Sequence, residues 1–201
     1  MPGRRAVTKS LLYTIRQGPP DGAPFFVLHD RYESLEHAEA LGARLGEDRL
    51  RIAVRAPRVQ TMGGSGMTRG HFWYIGPRER PELSTLGDGL YQLELLIDET
   101  WQAYGQRPLG LLGRGEGGTI ALLAACLFPD RFSHVVALDA VLPVNLADMP
   151  IEPRRLDGVN VLLAGPDDHH SATRLANKGA TVTSLEAADN AAFASFLRSA
   201  G

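Results

Sequence analysis

The stretch LLGRGEGGTIALLAAC, Leu111 to Cys126, constrains this chain more than any other. An apolar run of strand length meets four glycines in six residues, and an apolar run of helical length follows. Glycine weakens helices and strands alike, so its crowding at one junction needs a geometric cause. Two strand–turn–helix units supply one. The dinucleotide fingerprint G-x-G-x-x-G is matched by Gly113, Gly115 and Gly118, with Asp139 at the end of the next strand, about 20 residues on, as the ribose-binding acid. The nucleophile elbow G-x-S-x-G is matched at its flanks by Gly113 and Gly117, with Gly115 at the centre. The fingerprint usually opens its domain, whereas this unit lies in mid-chain.

Strand and helix patterns alternate along the remainder. Strands are expected in LLYTIRQ (11–17), PFFVLHD (24–30), RLRIAVRAP (49–57), PLGLL (108–112), HVVALDA (134–140), VNVLLAGPDD (159–168) and TVTSLEA (181–187). Helices are expected in 34–46, 89–105, 118–129, 171–179 and 190–199. Ser34 can cap the first of these, with His37 where a capping box prefers Glu or Gln. Between them, 59–89 reads as a long irregular loop whose His71, Phe72, Trp73 and Tyr74 suggest a pocket wall. Strands that are apolar throughout, alternating with helices, imply an α/β fold with a mostly parallel sheet and helices on both faces. Ligands of such sheets sit at the carboxyl ends of the strands, where the glycine turn lies.

Composition narrows the function classes. A formal net charge of -2 offers no basic patch for nucleic acid or an anionic membrane. The longest apolar run, IALLAACLF, is too short to span a bilayer. A single cysteine, Cys126, fits a reducing compartment, and it falls in an apolar helix where a thiol is inert. The first residues, MPGRRAVTKSLLYTIRQG, lack a sustained apolar segment and a small-residue cleavage site. A cytoplasmic protein of one domain, 1–201, is expected.

The segment GRGEGGTIALLAACLFPDRFSHVVALDAVLP resembles the elbow region of the α/β-hydrolase superfamily, most of all the small carboxylesterase and acyl-protein thioesterase branch. That branch reads G-x-S-x-G-G, an apolar helix, P-x-R-[FL], then an apolar strand and a loop with Leu-Pro. All of this except the serine is present. The resemblance extends over about residues 8 to 197 and implies a single α/β-hydrolase domain without cofactor. Homodimers are known in such folds, so the resemblance also admits one here.

The resemblance assigns roles residue by residue. The nucleophile falls on Gly115, which has no side chain to attack with. The acid falls on Asp168, with Asp167 beside it, although either suits a turn after a strand. The base belongs in LEAADN (185–190), yet no histidine follows His170; Asp189 is the nearest polar group and equally suits a helix N-cap. His29 matches the His-Gly start of the oxyanion loop, but Asp30 replaces the glycine. Glu116, next to the elbow, adds a second negative group, and its N–H would still point into the site. Acyl transfer needs a nucleophile, a base and an oxyanion hole acting together.

Other chemistry is thinly supported. Asp167 to His170 has metal-ligand residue types at no zinc spacing, so no metal is expected, although His29 and His71 approach the same strand ends. Ser65, in GGSGM, lacks a strand–turn–helix frame. The bare N-terminus of the helix after Gly115 offers N–H groups to a carboxylate or phosphate, opposed by Glu116 and Asp30. Three readings result. The first is a pseudo-hydrolase that binds a small acyl or apolar ligand, or a partner, around His29, Asp30, Gly115, Glu116, His71 and Trp73. The second is an active hydrolase with a relocated base or a water nucleophile. The third is a dinucleotide-binding protein.

Overall fold

The computed structural model describes residues 9–150, 152–165, 169–187 and 189–198. Seven strands form one sheet: β1 (Thr14–Gln17), β2 (Pro24–Leu28), β3 (Leu50–Val54), then β6 (Leu109–Arg114), β7 (Phe132–Leu138), β8 (Asn160–Ala164) and β9 (Thr181–Leu185). A separate hairpin pairs β4 (Arg58–Thr61) with β5 (Thr68–Phe72). The sheet order is β1-β3-β2-β6-β7-β8-β9, with β1 antiparallel to β3 and every other pair parallel.

The apolar strands explain the layering. Successive side chains along a strand point to opposite faces, so an uninterrupted apolar run needs cover on both. Phe26, Leu28, Leu111, Val135 and Val161 face one core, together with the helices α2 (Leu83–Ala103) and α3 (Glu116–Leu127). Phe25, Val27, Leu112, Val136 and Leu162 face the other, beneath α1 (Leu35–Gly42) and α5 (Asn190–Arg198). The remaining helix, α4 (His169–Asn177), packs beside β9. Every residue of α3 is buried, as expected of a helix apolar on all sides. Among the described residues no helix is long and apolar enough to cross a membrane.

Two local readings need correction. The expected loop 59–89 contains the β4–β5 hairpin, and α2 begins at Leu83 rather than near Gly89. The helix start is set by Glu82, whose carboxylate accepts from the Ser84 and Thr85 N–H groups at 3.1 and 2.9 Å. Those bonds and the two hydroxyls hold the Glu82 carboxyl down at about 2. At α1, His37 fills the capping role in place of glutamate, with the Ser34 N–H 3.3 Å from its Nδ1.

The chain leaves β2 toward β3 on one side, while β6 to β9 build outward on the other. The sheet therefore changes direction between β2 and β6, and a crevice opens beyond their carboxyl ends. Asp30 follows β2 and Gly115 follows β6, on strands paired at Leu28 and Gly113.

Candidate functional site

Gly115 stands at the apex of the β6–α3 turn with φ 55° and ψ −119°. L side chains rarely adopt a positive φ of this kind, so glycine holds the turn without strain. Its N–H donates to the Leu138 carbonyl at 2.8 Å, and its carbonyl accepts from Thr119 N–H at 3.0 Å. Gly113 has a different cause: a Cβ there would overlap the Gly117 carbonyl, because strand and helix pass too closely. The glycines thus follow from an elbow-shaped turn.

The space that a side chain at 115 would enter holds the carboxyl group of Asp30. Asp30 Oδ1 accepts from the Glu116 N–H at 2.8 Å and from the Arg31 N–H at 2.7 Å. Arg78 donates to Asp30 Oδ2 at 3.0 Å and, through its other terminal nitrogen, to the Asp139 carbonyl at 2.9 Å. The first N–H of α3 therefore meets a charge from within the chain. The first of the donors that a dinucleotide pyrophosphate would need is already engaged, and the glycines have a structural cause, so the fingerprint reading gains no support here.

Three acids around the elbow each pair with an arginine. Asp30 pairs with Arg78, Glu33 with Arg114, and Glu116 with Arg31. Glu116 turns inward with no exposed side-chain surface, and its Oε2 accepts from the Trp73 N–H at 2.9 Å. Burial pushes its carboxyl above the usual range, against the pull of the Trp73 N–H and Arg31. Arg31 also donates to the carbonyls of Tyr74 and Gly76 at 3.1 and 2.5 Å. Among these partners, Arg31, Glu33, Arg78 and Arg114 carry no sequence motif. Their charges are scattered over two loops and the end of β6, and only the tertiary fold brings them together.

His29 and His71 do approach one another, with ring centroids 6.5 Å apart. His29 is fully buried, and the Ala56 N–H donates to its Nε2 at 3.0 Å. Nε2 is thus unprotonated, and Nδ1, 2.7 Å from the Asp30 carbonyl, carries the proton. Burial lowers its basicity. Both ring nitrogens are committed to backbone, so His29 is a structural pin here. Burial lowers His71 as well, followed by the nearby Arg55. His71 lines a cavity of about 380 Å³ with Leu11, Tyr13, Arg55 and Val59.

Trp73 and Tyr74 are not the pocket wall that the sequence suggests. Both are fully buried, and Trp73 Nε1 donates to the His29 carbonyl at 3.1 Å. Asp189 caps α5, its Oδ1 accepting from Ala192 N–H at 2.7 Å. Asp167 and Asp168 lie outside the described residues. Asp139, at the end of β7, has a φ of 50°, a strained value for a residue with a side chain. Burial pushes the Cys126 thiol up to about 11. Among the described residues no group of three His, Cys, Asp or Glu side chains is placed to hold a metal.

A cavity of about 440 Å³ opens beside the elbow, at the carboxyl ends of β6, β7, β8 and β9. Arg114, Leu138, Asp139 and Ala164 form part of its floor, and His37 and Leu41 of α1, with Arg44 of the 3-10 turn that follows it, one wall. The sequence reading missed this wall. His37 lies on a surface helix and Arg44 in the turn that ends it, where charged residues ordinarily face solvent.

No protein-family model matches the sequence, and no curated protein sequence matches it. Solved structures do match. A carboxylesterase from Mesorhizobium loti superposes with a TM-score of 0.68 at 18% identity, over 89% of this chain and 88% of that one. The Bacillus cereus carboxylesterase gives 0.72 at 16%, over 88% and 85%. A phospholipase/carboxylesterase from Dyadobacter fermentans gives 0.64 at 16%, over 90% and 89%. The chain therefore has an α/β-hydrolase fold. That fold is the one these carboxylesterase structures share with it.

Proposed function

We propose that this protein is a hydrolase-fold protein that binds rather than hydrolyses, a pseudo-hydrolase whose ligand is a small molecule with an apolar part, or a partner protein. The observation that carries the reading is Gly115 at the apex of an intact elbow. The turn keeps the backbone that presents a nucleophile and has no side chain to present. The rest of the apparatus agrees. The loop where the base belongs offers Asp189, which is occupied in capping α5. His29, which the resemblance places at the start of the oxyanion loop, spends both ring nitrogens on backbone. Losing any one member of a catalytic triad removes most of the rate, leaving what binding and the oxyanion hole supply.

The cavity of about 440 Å³ beside Arg114 and Leu138 is the binding place this reading favours. It lies where open α/β sheets receive ligands, and it is of a size for a small molecule. The test is hydrolysis of short-chain and medium-chain activated esters by the purified protein. The expected result is a rate equal to the uncatalysed background at every chain length. Saturable turnover that survives further purification would overturn the reading and turn attention to His71.

A further inference from the structure

We propose that Asp30 is a built-in plug of the oxyanion hole, and that Asp30 and Gly115 are a coupled pair in which each excludes what hydrolysis requires at the other. The proposal rests on reading Gly115 as the nucleophile position. It explains more than a missing serine would. Two backbone donors from different elements, Glu116 N–H on α3 and Arg31 N–H after β2, converge on one oxygen. Such a pair is the apparatus that receives a developing oxyanion. Here the oxygen is a carboxylate of the chain itself, already charged and already in place.

Volume makes the exclusion mutual. A Cβ on Gly115 would overlap the Asp30 carboxyl carbon and both its oxygens. A serine at 115 therefore needs Asp30 to leave, and Asp30 can sit as it does because 115 is bare. The plug is also latched. Arg78 ties Asp30 Oδ2 to the Asp139 carbonyl, bridging the loop before α2 to the end of β7. The Asp30 N–H is held by Glu33 Oε2 at 2.9 Å. A free carboxylate approaching α3 would compete with one that is tethered and pre-oriented, which is a losing contest at ordinary concentrations. Ligands are thereby directed away from the elbow and toward the neighbouring cavity.

A double-mutant cycle tests the coupling. Gly115→Ala should lower the melting temperature by several degrees in the native background. In the Asp30→Gly background the same change should cost less than half as much, because the backbone strain at 115 remains while the overlap is gone. Equal losses in both backgrounds would overturn the proposal, since the carboxylate would then simply swing aside. Amide hydrogen exchange gives a second reading that does not depend on Gly115→Ala folding. Asp30→Gly should speed exchange of the Glu116 N–H at least tenfold against the rest of α3. Asp30→Asn should leave it protected, because a carboxamide oxygen still accepts. An unchanged Glu116 rate in Asp30→Gly would overturn the plug. Neither arm reads ester hydrolysis, so turnover by the native protein would sink the functional reading without touching this one, and additivity would do the reverse.

Discussion

Glu116 occupies a place where two electrostatic preferences meet. A carboxylate in the first turn of a helix is favoured by the backbone dipole, which is why its presence after the elbow is unremarkable in sequence. In the fold it is a buried charge, satisfied by Arg31 and by the Trp73 N–H. Removing Glu116 strands the buried Trp73 N–H, at about 1–3 kcal/mol, while Arg31 keeps solvent and two backbone carbonyls. Glu116→Ala is expected to lose stability on that scale in urea denaturation. Glu116→Gln should lose less, since its carboxamide oxygen still accepts from Trp73. The pH dependence has a definite sign. Burial raises the folded pKa above 4.5, so the folded state binds the extra proton first. That contribution is full below 4.5 and is lost as pH rises through the folded value. The stability difference between native protein and Glu116→Gln should therefore move in favour of the native protein as pH falls through that window. Movement the other way would show that Arg31 outweighs desolvation.

Elements meet at His29. It follows β2 directly, and its Nε2 receives the Ala56 N–H from the segment after β3, so one ring fastens two strand ends. The bond exists only while the ring is neutral. Burial depresses the folded pKa below 6.5, so the stabilisation is complete above pH 6.5 and is lost as pH falls through the folded value. Native protein should show that loss in denaturation between pH 7 and 5, and His29→Gln should not. His29→Ala should be less stable by about 2 kcal/mol at pH 7, from the unsatisfied buried N–H. The role of His29 also marks where sequence reading stops. Its place after an apolar strand was legible, and so were all seven strands of the sheet, because fully apolar runs and glycine punctuation are local signals. The β4–β5 hairpin was not, since Val59, Thr61 and Thr68 are exposed and the hairpin has no apolar face to announce it. Glu82 as a helix cap was missed for a related reason: a glutamate is an unusual cap, and Pro81 before it reads as loop. At the site, Gly115 was legible through its turn, while Arg31 and Arg78 were not, because ion pairing across separate loops leaves no spacing in the chain.

The molecule as a whole has an α/β-hydrolase fold in which the strand ends around Gly115 are tied together by ion pairs. An enzyme holds polar groups partly unsatisfied at its active centre, and this often lowers stability. Here Asp30, Glu33 and Glu116 each have an arginine partner, and His29 and Trp73 are bonded to backbone. The elbow is thus expected to open only with the entire fold. Cys126 provides the measurement. It lies on α3, the same helix that begins at the elbow, is 1% exposed, and has its thiol raised to about 11 by burial. A thiol reagent at pH 8 should label it at a rate set by unfolding, since neither access nor thiolate is available in the folded state. Labelling should accelerate with urea along the same slope as global unfolding followed by tryptophan fluorescence. Asp30→Gly should leave that slope unchanged, because it releases one end of α3 without detaching the helix from the three strands it packs against, β2, β6 and β7. A shallower slope for labelling in the native protein would mean that α3 detaches locally. The elbow would then be a mobile part of the molecule, and the plug would be too weak to hold it.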